Sequence, residues 1–286
     1  MSETRLSDRV VVSAPEGGVV RVRLARPDKM NALDPAMFDG LIAAAHHVRT
    51  LPDVRVVVMH GEGRGFCAGL DMGNFAAMAG GGDAGVSGNQ KQRQPLAARS
   101  HGLANRPQKV AFTWREVQVP VIAAAQGFAL GGGFQVFMGA DMRYAAPGTK
   151  FSIMESRWGL VPDMGTTHVM ARLAREDIVK ELAMTARIFE AEEAYEYGFL
   201  TRICDDPIAA AFETATAIAA RNPDAIRATK QLFNEPADRL VADTLLLESV
   251  LQDEIIGSPN QVEAVKAELE GREPVFSNGA AQKAAE

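Results

Sequence analysis

Twice in this chain a buried-type strand runs into a glycine-rich turn and then into a helix. Val54–His60 is a largely apolar, β-branched run, of the kind that fills a strand covered on both faces. It leads through Gly61-Glu62-Gly63-Arg64-Gly65 into Phe66-Cys67-Ala68-Gly69-Leu70-Asp71, a glycine-bounded turn that enters a helix. Val119–Ala125 is the second such strand. The turn Gln126–Gly133 follows it and carries Gly131-Gly132-Gly133, and Phe134–Ala140 then reads as a short helix. Such turns leave backbone N–H groups unpaired at a helix start, where they can face developing negative charge. Two N–H groups from two separate turns are what an oxyanion hole requires. The plain alternative is that each is only a tight turn whose glycines supply backbone freedom. Neither turn has the Gly-Lys-Ser/Thr of a P-loop or the Gly-x-Gly-x-x-Gly of a dinucleotide fold.

Around these units the chain alternates strands and helices. Arg9–Ala14 and Val19–Leu24 flank Pro15-Glu16-Gly17-Gly18 and read as a hairpin. Asp34-Pro35 starts a helix, with Asp as the cap and Pro at the first helical position. Met37, Leu41, Ala45 and Val48 give that helix one apolar stripe. Met142–Ala146 and Lys150–Ile153 are further short strands. From Met164 the chain is mostly helical, punctuated by Pro207, Pro223, Pro236 and Pro259. The expected organisation is an α/β core over residues 1–205, a helical region over 206–276 and a frayed tail over 277–286. Ala76–Arg106, rich in Gly, Ala, Ser and Gln, reads as a long loop.

Composition excludes several roles. The net charge is −6 and no long basic run occurs, so a nucleic-acid partner is not expected. No apolar stretch reaches the ~20 residues of a membrane span. The first residues lack the order of a signal peptide. Cys67 and Cys204 are too few for a disulfide framework and point to a cytoplasmic protein. His60 and His168 stand apart, and no His/Cys/Asp spacing suggests a metal site. Trp114 and Trp158 read as packing residues, with Trp158 near enough to Glu155 to line a pocket.

Taken together, the two glycine turns resemble those of the crotonase (enoyl-CoA hydratase/isomerase) superfamily. The similar segments are Phe66-Cys67-Ala68-Gly69-Leu70-Asp71, then Pro120–Ala124 with Gly127 and Gly131-Gly132-Gly133, then Asp141. Arg26-Pro27 with Asn31-Ala32-Leu33, and Gly159-Leu160-Val161-Pro162-Asp163, are similar too. The likeness runs from about Val10 to Phe276. It implies a spiral of ββα units in two sheets with a C-terminal α-helical region that forms a homotrimer or a dimer of trimers. It implies an acyl-CoA thioester substrate and no separate cofactor, coenzyme A being part of that substrate. By position, the N–H groups of Leu70 and Gly132 would form the oxyanion hole. Ala68, Asp71 and Gly131 would line the substrate and CoA path. Lys29 would meet a CoA phosphate, unless it is only a solvated surface lysine. The motif also holds small residues at the Cys67 position, which argues against Cys67 as a nucleophile.

The carboxylates set this chain apart from the hydratase pattern. Hydratases of the family use two glutamates, at the positions of Gln135 and Glu155. Here the first is an amide, which cannot take up or deliver a proton at neutral pH. Asp163 adds a further carboxylate. A Glu and an Asp at the positions of Glu155 and Asp163 resemble the dienoyl-CoA isomerase branch, as does Glu181-Leu182 with Thr185-Ala186-Arg187. That branch carries Asp where this chain has Gln135, so the match is partial. Two plainer readings stand beside these: Glu155 as a surface or paired glutamate, and Asp163 as a cap for a helix from Met164. Three functions follow as expectations: a double-bond isomerase with Glu155, Asp163 and Gln135 at its centre, an enoyl-CoA hydratase, or an acyl-CoA-binding module without catalysis.

Overall fold

The computed structural model describes residues 2–80, 95–272, 274 and 275. The expected tail over 277–286 and residues 81–94 of the expected long loop lie outside them. In chain order the first half holds β1 (Glu3–Leu6), β2 (Val10–Ser13), β3 (Val19–Leu24), α1 (Pro35–Thr50), β4 (Val56–Gly61), α2 (Met72–Ala79) and α3 (Arg106–Glu116). Next come β5 (Val121–Ala125), β6 (Phe128–Leu130), α4 (Gly132–Met138), β7 (Met142–Ala145) and β8 (Lys150–Ser152). A 3-10 turn, Glu155–Trp158, precedes α5 (Thr167–Leu173), α6 (Glu176–Thr185), β9 (Phe189–Glu190), α7 (Ala191–Glu196) and β10 (Arg202–Ile203). Three helices follow: α8 (Pro207–Ala219), α9 (Pro223–Ile255) and α10 (Pro259–Glu270).

The strands form two sheets. The larger runs β1-β2-β3-β4-β5-β7-β10 and the smaller β6-β8-β9. β2 and β3 pair antiparallel as the expected hairpin, and β3, β4, β5, β7 and β10 are parallel. The apolar runs of β4 and β5 have a direct cause, because both faces of the large sheet are covered. Val57, Met59, Val121 and Ala123 face the core shared with α1, α3 and α4. Val56, Val58, Ile122 and Ala124 face α8 through Ala211, Ala215 and Ala219. A strand buried on both sides has no need of alternation. The small sheet is packed by aromatic rings, with Phe134 set edge-on against Phe189 and Phe199.

Several local expectations change. The stretch read as one glycine turn contains β6. α4 begins two residues earlier than the apolar pattern suggests, at Gly132. The long loop is shorter at both ends, since α2 reaches Ala79 and a capping box of Asn105 with Gln108 starts α3 at Arg106. α9 continues past Pro236. A helix-interior proline removes one hydrogen bond and crowds one carbonyl, which can bend a long helix without ending it.

A buried ion pair ties α9 to the sheet. Lys230 Nζ meets Asp141 Oδ2 at 2.8 Å and donates to the carbonyls of Trp114 and Val119, each at 3.0 Å. Three oxygens thus satisfy an ammonium that is almost fully enclosed. Among the described residues no helix is long and apolar enough to cross a membrane, and none of their His, Cys, Asp and Glu side chains cluster to hold a metal ion.

Candidate active site

The two glycine turns are laced together by backbone hydrogen bonds. The N–H of Phe66 donates to the carbonyl of Phe128 at 2.9 Å, and the N–H of Leu130 donates to the carbonyl of Cys67 at 3.0 Å. Cys67 and Ala129 form a parallel bridge between them. Two glycines permit this approach. Gly69 has φ +91°, and a side chain there would stand 2.7 Å from the Leu130 carbonyl oxygen. Gly133 presses α4 onto Cys67, where an added Cβ would be 2.5 Å from that residue's carbonyl. Among the described residues the N–H of Leu70 has no hydrogen-bond acceptor. Gly132 opens α4, so its N–H belongs to the first helical turn, which has no intrahelical partner. Both line one cavity of about 110 Å³. Two such donors, fixed by backbone on either side of a cavity, can hold an oxygen that is gaining negative charge.

The carboxylates meet at the same place. Glu155 is buried on its 3-10 turn and lines the cavity, as does Asp163. Gln135 Nε2 donates to Glu155 Oε1 at 2.6 Å. The orientation of that amide is set from behind: Gln135 Oε1 accepts from the Met164 N–H at 2.9 Å and from Thr166 Oγ1 at 3.3 Å. Both lone-pair directions of the amide oxygen are occupied, so the NH₂ end faces Glu155. Glu155 Oε2 is buried without a hydrogen-bond partner. Burial pushes its pKa above the ordinary carboxylate value, and the Gln135 hydrogen bond opposes this only in part. Burial thus favours the protonated form more than in a surface glutamate, which suits a group that must both take up and return a proton.

α5 starts at Thr167 with Thr166 in the N-cap position, so there is no helix from Met164 for Asp163 to begin. The freed Met164 N–H serves Gln135 instead. The remaining expected residues divide. Ala68 and Gly131 line the cavity. Asp71 does not line it; its Oδ1 caps α2 by accepting from the Gly73 N–H at 2.9 Å, and Oδ2 meets Arg26 Nη1 at 2.6 Å. Burial works against its charge, yet the Gly73 N–H and Arg26 hold the carboxyl below its usual value. Lys29 is exposed on the 3-10 turn Pro27–Lys29, near enough for its charge to act on Asp71. Cys67 is fully buried, and desolvation pushes its thiol up to about 12, which fits packing and not nucleophilic chemistry.

Three contributors carry no signal in the sequence. Thr166 and the Met164 N–H act through Gln135, which lies far back in the chain. Phe75, on α2, stacks on Trp158 with ring centroids 3.9 Å apart and planes at 17°, closing one wall of the cavity. Trp158, unlike Phe75, was foreseen on the wall from its nearness to Glu155.

Comparison with known proteins agrees with this geometry. The sequence profile described as Enoyl-CoA hydratase/isomerase matches residues 14–279. The chain belongs to the enoyl-CoA hydratase/isomerase family and is an acyl-CoA enzyme with the crotonase fold. It is 28% identical over 270 residues to the mitochondrial Delta(3,5)-Delta(2,4)-dienoyl-CoA isomerase of Mus musculus, covering 93% of this chain and 81% of that one. It is 30% identical over 276 residues to the mevalonyl-coenzyme A hydratase SIDH of Beauveria bassiana, covering 93% and 94%. The solved enoyl-CoA hydratase/isomerase of Pseudoalteromonas atlantica shares its fold, with TM-score 0.80, 23% identity and coverage of 94% and 100%.

Proposed function

We propose that this enzyme migrates a double bond in an enoyl- or dienoyl-CoA thioester, in preference to adding water to it. The observation that carries the reading is the Gln135–Glu155 contact, in which an amide fills the place of a second carboxylate and donates to the first. Hydration needs one group to take the proton of water while another serves the α carbon. An amide cannot do either.

In the proposed reaction the thioester carbonyl oxygen lies between the N–H groups of Leu70 and Gly132. Glu155 takes a proton from the α carbon, and the electron pair moves onto the thioester oxygen as an enolate. The two N–H donors and the start of α4 favour that charge. The same proton, now on Glu155, returns at the far end of the conjugated system, and the double bond moves. Asp163, on the cavity wall, is placed to share the second transfer when that end lies farther away. Gln135 orients Glu155 through Oε1 and leaves Oε2 to the substrate. The acid–base part is worth about 10²–10⁴ in rate. Ala68 and Gly131 flank the thioester, and Lys29 lies outside the cavity, where a CoA phosphate would pass.

A panel of 2-enoyl-, 3-enoyl- and 3,5-dienoyl-CoA esters tests this, read for hydration and for bond migration. Migration of a 3-enoyl or 3,5-dienoyl ester should outpace hydration of the 2-enoyl ester. Efficient hydration without migration would make the protein a hydratase. Tight acyl-CoA binding with no turnover of any ester would make it a binding module.

A further inference from the structure

Gln252 is a buried polar side chain in a largely apolar part of the cavity wall. It sits on α9, 3% exposed, in the wall that also contains Leu160 and Ile256. Its Oε1 accepts from the Val161 N–H at 3.2 Å. That bond fixes which end of the amide is oxygen, and so turns Nε2 elsewhere. Among the described residues Nε2 has no hydrogen-bond partner, yet it is not sealed among protein atoms. An amide donor taken from bulk water and given no acceptor is unfavourable, and folded proteins leave few of them. Gln135 offers the contrast, for its own Nε2 is spoken for by Glu155.

We propose that Gln252 Nε2 donates to an oxygen of the acyl group, so that the substrate is an acyl-CoA bearing a hydroxyl or carbonyl oxygen beyond the carbons that exchange protons. The inference rests on the reading that an acyl-CoA thioester occupies this cavity. Two features select the ligand class. The neighbours Leu160 and Ile256 are apolar, so a lone water beside Gln252 would lack the two to four polar partners that hold a buried water. Among the described residues no Lys or Arg lines the cavity, while Glu155 and Asp163 do. A second carboxylate on the acyl chain would meet no cation among the described wall residues, so the oxygen proposed is a neutral one.

The test uses acyl-CoA thioesters of equal length in three forms: plain alkyl, keto and hydroxy, with the oxygen moved outward one carbon at a time from C5. Binding of the saturated esters is measured by calorimetry, and turnover of the matching enoyl esters by absorbance. At one position the oxygenated ester should be favoured over the plain one by about tenfold or more, as buried donors discriminate against ligands that leave them unpaired. Whether keto or hydroxy wins identifies the oxygen. In Gln252→Met the oxygenated-to-plain ratio should fall to near one. Gln252→Glu keeps an acceptor for the Val161 N–H while removing the donor, and should abolish the preference in the same way. A wild-type ratio near one at every position, or a preference that survives both variants, overturns the proposal. Binding preference without bond migration would overturn the isomerase reading and leave Gln252 in place. Failure of every thioester to bind would overturn both.

Discussion

The amide of Gln135 donates to Glu155 Oε1 at 2.6 Å and leaves Oε2 of that carboxylate without a hydrogen-bond partner. Both halves of this relationship matter. One oxygen is used to orient the group. The other is the only part of Glu155 left to exchange a proton with a substrate.

Replacing Gln135 by Glu would put a second carboxylate against the first. Two carboxylates this close cannot both ionise freely, so one proton would be retained to higher pH. Gln135→Glu should gain hydration of a 2-enoyl-CoA, with the limb of its rate profile that reports carboxylate ionisation moved to higher pH. Hydration rates measured across pH 5–9 (about the range where carboxylates so shifted titrate) check this. No gain, in an enzyme that already hydrates well, would count against the assigned role of Gln135.

Removing the charge of Glu155 should separate activity from stability. Glu155→Gln should lower turnover by about 10²-fold or more. Its stability effect follows from the raised pKa. The unfolded chain releases this proton at lower pH than the folded one, so folding is penalised as pH rises from the ordinary carboxylate value through the folded one. Denaturant midpoints of Glu155→Gln and wild type should converge at low pH, and the variant should be the more stable at neutral pH. A variant less stable at every pH would refute the sign.

The donor at Gly132 calls for a paired test. Gly132→Pro removes the N–H and should cost about 10²-fold or more in turnover. A side chain here would also stand 2.7 Å from Met164 Sδ and 2.9 Å from Leu33 Cδ1. Gly132→Ala brings that crowding but keeps the N–H, and should lose clearly less. Equal losses in the two folded variants would assign the effect to crowding alone.

Asp71 should behave as a cap and not as a ligand. Asp71→Ala should destabilise the fold by about 1 kcal/mol through loss of the α2 cap. Asp71→Asn, still able to accept from the Gly73 N–H, should recover most of it, since the partly exposed Arg26 pair is worth about 1 kcal/mol at most. Urea unfolding midpoints decide, and an Asn variant as unstable as the Ala variant would shift the weight to the ion pair.

The Lys230–Asp141 pair makes a larger prediction. Lys230→Met leaves two carbonyls without their donor and Asp141 Oδ2 with the Val121 N–H in place of the ammonium. The expected cost is about 3–5 kcal/mol by chemical denaturation. A loss under about 1 kcal/mol would mean that α9 is held by its other contacts.

How much of this could be read from the chain depended on how locally each feature is specified. β4 and β5 announce themselves because burial on both faces demands apolar residues at successive positions. Asp34-Pro35 announces α1 because cap and first turn are adjacent in sequence. β9 and β10 are two residues each and exist only through their partners β8 and β7, so no local pattern marks them. The amide at Gln135 beside a retained Glu155 was legible as a departure from a family pattern. The direction of the Gln135 amide was not, because it is fixed by the Met164 N–H and by Thr166. A helix from Met164 behind Asp163 followed a sound local rule, but the helix begins at Thr167, with Thr166 in the N-cap position. Gln252 gave no sign at all, because only the packing of α9 onto the Leu160–Asp163 segment brings it to the cavity.

The lacing of the two glycine turns has a consequence for how such a site can change over generations. The donors at Leu70 and Gly132 are peptide groups, and their separation is set by main-chain pairing between Phe66–Cys67 and Phe128–Leu130. Apart from Gly69 and Gly133, where a side chain would collide with it, neighbouring side chains take no part in that pairing. The side chains proposed to exchange protons, Glu155 and Asp163, and Gln135 that orients Glu155, stand elsewhere, on the 3-10 turn, in the segment before α5 and on α4, and each can be exchanged one codon at a time. On the proposed reading, the half of the site that would hold an enolate is built into the main chain, while the half that would decide its fate, Gln135 included, rests on single side chains.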